Sequence, residues 1–216
     1  MKLGLVGGLR RSTLLAALLH DVGRFPQFAQ WRTFRDDASA NHGRLGARVL
    51  RDASVLKGES PEVRRVAIAA VALHNRYTLP ANLPERTRLV TNIVRDADKI
   101  DILGIFSEEL GKPEPSGEVV LHVARDPERW TPAVADMILR GQVPNYSQLR
   151  YVNDFIMLLC SWPGELNFPV SLRLVRETGH IGKLLEYLPK APELDAVRRI
   201  AHDLLRPHGC EGARLS

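Results

Sequence analysis

The chain has 216 residues, 44% of them hydrophobic and 25% charged, with 16 glycines and 14 prolines, a composition that supports a packed core and excludes intrinsic disorder. The formal charge of +5 is uneven: residues 1–105 hold 17 Lys/Arg against 10 Asp/Glu, the remainder 13 against 15. A basic first half favours a phosphate-bearing partner, whereas the lack of like-charge blocks and of interleaved aromatics disfavours nucleic acid.

No apolar run reaches the ~18–20 residues of a membrane span. The richest, Phe155 to Cys160, is closed by Ser161, Trp162 and Pro163. Lys2, Arg10 and Arg11 ahead of Leu14–Leu19 imitate a secretory signal, but the run is short, ends in His20-Asp21 and lacks a small-x-small cleavage site. Cys160 and Cys210 form no CxxC and no disulfide framework, so a reduced, cytoplasmic protein is expected.

In chain order, Leu14, Leu15, Leu18, Leu19 and Val22 make a first helical stripe, and Leu45, Val49 and Leu50 begin a second. Ser60-Pro61-Glu62 opens a third helix, with Val63, Val66, Ala67, Ala70, Val71 and His74 in register. A fourth runs from Arg88 to about Phe106, with Leu89, Ile93, Ala97, Ile100 and Leu103 or Gly104 as its inner face. Pro113, Pro115 and Gly117 mark a connection, and Val119–Val123 is the one possible short strand. Further helices are predicted near 132–140, 148–161, 169–177, 180–188 and 192–205, punctuated by prolines. The fold class is therefore all-α, with residues 1–112 as the motif-bearing core and 113–216 as a helical elaboration packed on the same domain.

Four segments carry chemistry. His20-Asp21 closes the first helix and is followed by Val22-Gly23-Arg24. Adjacent side chains are ~100° apart on a helix, so this pair meets one ion only at a helix end or beside another ligand-bearing helix. The others are Asn41-His42-Gly43, Leu73-His74-Asn75-Arg76-Tyr77 and Arg95-Asp96-Ala97-Asp98-Lys99-Ile100-Asp101. Asp96 and Asp98 are ~200° apart, so one is expected to face the centre and the other to be solvated or paired with an arginine. A mixed N/O donor set suits Mn, Fe, Co, Zn or, less well, Mg. His122, His180, His202 and His208 have no partnered spacing.

In this order the segments resemble the HD superfamily of metal-dependent phosphohydrolases. Leu18-Leu19-His20-Asp21-Val22-Gly23-Arg24-Phe25 is similar to the defining motif, Asn41-His42-Gly43-Arg44-Leu45-Gly46 to a histidine-plus-glycine helix start, and Arg95–Asp101 to the closing Ala-Asp segment. The resemblance covers roughly residues 14–106, and Ser161-Trp162-Pro163-Gly164-Glu165-Leu166-Asn167-Phe168 is similar to the tail of one bacterial subgroup. It implies an HD-domain helical bundle with additional C-terminal helices, and a divalent metal held by His20, Asp21 and Asp98, with Asp96 as the alternative. It also implies catalytic roles for Asp21, His42 and His74, the two histidines matching those of two-metal members or facing phosphate in single-metal ones. Arg24, Lys99 and Arg76 are then the candidates for phosphate contact, and the substrate a small phosphate ester, a nucleotide or related metabolite.

The family normally has another metal-binding histidine about thirty residues upstream of its His-Asp pair. Here nineteen residues precede His20 and none is His. Either the sequence starts at an internal methionine of a longer protein, or that ligand is lost. The second case corresponds to an inert HD-fold module that binds a nucleotide or a partner protein.

Overall fold

The computed structural model describes residues 3–112 and 123–206. These are helical, and no strand occurs among them beyond an isolated bridge between Ala124 and Tyr151. Of the expected strand, Val119 to His122 lie outside the described residues, as do Pro113, Pro115, Gly117, His208 and Cys210. Among the described residues no helix is long and apolar enough to cross a membrane.

The chain divides into two compact units, residues 1–102 with 167–171 and residues 103–166 with 172–216. The first unit holds α1 (Gly7–Leu19), α2 (Arg24–Trp31), α3 (His42–Asp52), α4 (Pro61–Leu73) and the first part of α5 (Glu85–Leu110). Helix starts follow local chemistry. The Asn41 carboxamide oxygen accepts from Arg44 N at 2.9 Å to cap α3, and Ser60 Oγ accepts from Val63 N at 3.3 Å with Pro61 in the first turn of α4.

Helix α4 packs on both α1 and α3, and α2 packs on α3. The core is Ala16, Leu50, Leu56, Val66, Ala67, Ala70, Val71, Val90 and Val94. Two motif glycines set the close approaches. A Cβ on Gly23 would overlap the His42 carbonyl oxygen and lie 2.5 Å from Gly46 N, and one on Gly43 would lie 2.8 Å from both the Val71 carbonyl oxygen and Asn75 Oδ1. These absent methyl groups let the turn after His20-Asp21 rest on α3, and α3 rest on the end of α4.

Two expected inner faces are corrected in part: Leu15, Leu19 and Val22 pack against the core and Leu103 is buried, as expected, but other members differ. On α1, Leu14 and Leu18 are exposed, 50% and 80%, and the buried residues are Ser12, Thr13 and Ala16. Small residues let α1 approach α4 closely, and the Ser12 and Thr13 hydroxyls donate to carbonyls one turn earlier, which removes the cost of burying them. On α5, Ala97 is exposed and Leu89, Ile93 and Ile100 only half-buried, while Thr87, Val90, Thr91 and Val94 are buried. Thr91 Oγ1 donates to the Thr87 carbonyl at 2.7 Å, so a threonine serves there as a core residue. Helix α2 does not appear in the apolar periodicity; Gln27, its buried residue, is polar.

The second unit holds the end of α5, α6 (Pro132–Leu139), α7 (Val152–Ser161), most of α8 (Pro169–Thr178), α9 (His180–Glu186) and α10 (Pro192–Leu204). Every residue of α7 from Asn153 to Ser161 is buried. Helix α6 packs on α7, α10 on both, and α9 on α7, with Phe106 edge-on to Phe155 at 4.5 Å between ring centroids. Asp154 is fully buried and accepts from Thr131 N, Thr131 Oγ1, Arg150 N and Tyr151 N at 2.6–3.0 Å. These bonds satisfy the carboxylate and fix the entry to α7.

Candidate metal centre

His20 is the C-cap of α1, Asp21 follows it in the turn, His42 is the first residue of α3, His74 is the C-cap of α4, and Asp98 lies on α5. The first unit brings all five together. Asp21 stands between two groups. Its Oδ1 lies 3.3 Å from His42 Nε2 and 3.8 Å from His74 Nε2, and its Oδ2 lies 3.8 Å from His20 Nε2, which is 3.4 Å from Asp98 Oδ1. His42 Nε2 and His74 Nε2 are 3.1 Å apart.

The outer nitrogen of each ring is tied. His20 Nδ1 bonds the Ala17 carbonyl, His74 Nδ1 the Val71 carbonyl and His42 Nδ1 the Asp36 carboxylate, each at 2.8 Å. These acceptors take the Nδ1 proton, which leaves every Nε2 facing inward, where it holds either a proton or a metal. His42 and His74 thus present two lone pairs to each other, an arrangement that needs a proton or a cation between them. With Asp21 and Asp98 beside them, the donor set fits a divalent metal of the nitrogen- and oxygen-loving kind. Ligand atoms of His20, Asp21 and His74 all lie within 4.8 Å of one another, a cluster that could hold such an ion.

The electrostatics agree. Burial opposes the charge on Asp21, but the nearness of His74 and the charges of Arg24, His42 and His20 hold its carboxyl far below the usual range. Burial likewise opposes the charge on His20, yet Asp98, the Ala17 carbonyl and Asp21 hold it up at about 9. Asp36 is kept below the usual range against its burial by His42, Gln27 and Arg24.

Asp36, in the short helical turn 36–38, has no signal in the sequence pattern. Besides His42 it accepts from Gln27 Nε2 at 2.9 Å and Asn75 Nδ2 at 2.8 Å, so two carboxamides hold the carboxylate that holds His42. Gln27 Oε1 and Asn75 Oδ1 are buried without a partner among the described residues.

The expectation for the aspartate pair is corrected in one respect. Asp98 lies beside His20, but Asp96 is neither solvated nor paired with an arginine: it is 1% exposed and accepts from Asn167 N, Asn167 Nδ2 and Phe168 N at 2.7–3.1 Å. The chain returns to the first unit through residues 167–171, and Asp96 supplies the acceptors for that segment.

Of the three cationic candidates, Arg24 is at the cluster. Its Nε bridges both Asp21 oxygens at 3.2 Å, and its Nη1 donates to the Phe34 carbonyl at 2.9 Å. Lys99 is half-buried next to Asp98, and Arg76 is exposed on the turn after α4. Of the remaining histidines, His180 bonds Ser107 in the second unit, His202 is exposed, and His122 and His208 lie outside the described residues.

A cleft of about 610 Å³ opens at Asp21 and Arg24, walled by Leu18, Val22, Phe25, Phe28 and Phe34. Phe28 and Phe34 stack at 4.9 Å, with the Arg32 guanidinium over the Phe28 ring at 5.9 Å and that of Arg24 over the Phe34 ring at 6.0 Å.

A family model described as HD domain matches residues 2–103. No curated protein and no solved structure matches the chain.

Proposed function

Residues 2–103 belong to the HD-domain family, and from that premise we propose that the chain is a phosphohydrolase that cleaves a small phosphate ester, a nucleotide or related metabolite. The observation that carries this reading is the convergence of three imidazole Nε2 atoms on Asp21 with every Nδ1 already bonded. His20, Asp21 and Asp98 would hold a divalent cation. When bound, such an ion supplies Lewis acidity and lowers the pKa of a water it carries.

The remaining steps fall to the protein. Asp21, held ionised, orients the attacking water and accepts its hydrogen bond. The oxygen of that water adds to phosphorus, the ester P–O bond breaks, and the departing alkoxide takes up the proton that the water gives up. His42 and His74, whose Nε2 atoms are 3.1 Å apart beside Asp21, are the imidazoles that face the phosphoryl oxygens. Asp36 holds His42 in place through Nδ1. Arg24, anchored through Nε and Nη1, adds a fixed positive charge beside Asp21. The aromatic cleft that begins at Asp21 suits the planar part of a nucleotide.

The test is elemental analysis of the purified protein, with and without added Mn, alongside hydrolysis of a chromogenic phosphodiester and a panel of nucleotides. Bound metal with turnover in the wild type, and loss of both in Asp21→Ala with unchanged circular dichroism, is the expected result. A content of two ions would move His42 and His74 from phosphate contact to metal ligation. Unchanged turnover in Asp21→Ala sinks the assignment.

A further inference from the structure

Helix α4, Pro61 to Leu73, is apolar almost all round. Its Val63, Val66, Ala67, Ala70 and Val71 are buried in the core, but Ala69 and Ala72 on another face are only half-covered, as is Ile68, which also packs against the core. An apolar face beyond what the core requires is a candidate for contact with something else. Together with Ala47, Leu50 and Leu56 this face floors a second cleft of about 580 Å³, which shares no residue with the metal cluster.

Four cations line it: Arg51, Lys57, Arg64 and Arg65. No carboxylate does, and Ser54, in the left-handed region at φ 51°, is the one neutral polar residue of the lining. The nearby acids are engaged elsewhere. Asp52 pairs with Arg48, Glu59 with Arg11 and Glu62 with Arg86. Among the described residues, the side chains of the four lining cations make neither an ion pair nor a hydrogen bond.

We propose that this α3–α4 cleft is a binding site for a nucleoside polyphosphate, separate from the metal centre. The volume falls in the range of small-molecule sites, and the apolar floor covers a planar base by contact alone. Two or more phosphates match four uncompensated cations, three of them guanidinium groups that can engage phosphate oxygens bidentately. The floor offers no group to read a base edge, so purine and pyrimidine nucleotides bind alike.

The test is calorimetric titration of the full chain, in chelator, with ADP, with inorganic triphosphate, and with vesicles containing phosphatidylglycerol. The expected result is saturable ADP binding that weakens as salt rises, with triphosphate weaker by about tenfold for want of an apolar body. The double variant Arg51→Ala/Arg65→Ala weakens ADP by at least about tenfold. Ala69→Trp, which fills the floor and leaves every charge in place, abolishes it, so the proposal stays testable if the double variant fails to fold. Asp21→Ala keeps the salt-sensitive ADP binding that the cleft variants remove. Three results each overturn the proposal: no saturable ADP binding, binding lost in Asp21→Ala but kept in the cleft variants, or binding to the vesicles alone. Because the titration needs neither metal nor turnover, its failure leaves the hydrolase reading standing, and the reverse holds as well.

Discussion

His42 Nε2 lies nearer to His74 Nε2, at 3.1 Å, than either nitrogen lies to Asp21. Two lone pairs at that distance repel unless a positive charge is shared between them, and two acceptors, the Asp36 carboxylate and the Val71 carbonyl, prevent the rings from escaping by exchanging tautomers. A divalent cation held beside this pair by His20, Asp21 and Asp98 binds only the folded state and adds stability by mass action. Thermal unfolding followed with Mn or Zn at about a hundredfold excess over Kd is expected to show about 2.7 kcal/mol of added stability over the chelated protein. Asp21→Ala should show none of it.

Asp36 touches no candidate substrate group and acts through His42. Asp36→Asn keeps the shape but trades the charged acceptor of the His42 Nδ1 proton for a neutral carboxamide; His42 stands 3.3 Å from the candidate ligand Asp21, and metal affinity is expected to fall by about 10- to 100-fold. A competition titration against a chromogenic chelator measures this, with circular dichroism unchanged. Affinity equal to the wild type would show that the Val71 and Ala17 carbonyls orient the cluster without it.

Asp96 and Asp98 differ in kind. Asp96→Ala leaves the Asn167 and Phe168 donors buried without their acceptor and is expected to cost about 3 kcal/mol in denaturant unfolding, because a buried group stripped of its partner carries its full desolvation penalty. Asp98→Ala, at a half-exposed position beside His20, is expected to lose metal with little change in unfolding midpoint. The opposite pattern would make Asp96 the ligand.

The pH dependence of the chelated protein follows from His20. Its folded value, about 9, lies above the ordinary imidazole value near 6.5, so its contribution is fully present below that ordinary value and is lost as pH rises through about 9. Asp21 and Asp36 run the other way: both are depressed, so their contributions are present above the ordinary carboxylate range and lost as pH falls. Urea midpoints at pH 7 and pH 10 should therefore differ more for the wild type than for His20→Gln. Equal differences would mean that the Asp98 pairing does not survive in solution.

What the sequence alone determined is what short-range chemistry decides. The start of α4 is legible at Ser60-Pro61 because capping involves residues within four positions, that of α3 in the resemblance of Asn41–Gly46 to a helix start, and the all-α class follows from apolar spacing within single helices. The first half's order of His-Asp, His, His and Asp likewise stands in the sequence, and it is enough to mark the HD domain. Only the tertiary structure decided which partner each of these groups meets. Asp96 and Asp98 are equivalent in composition and separated by one residue, yet one is claimed by backbone donors 71 and 72 positions away and the other by His20. Asp36 and Gln27 carry no periodic signal, because holding His42 in place depends on distance in space and not along the chain. The exposed side of α1 is settled in the same way. Leucine spacing favours Leu14 and Leu18 for the core, but the closeness of α4 favours Ser12 and Ala16, and close packing outweighs the stripe.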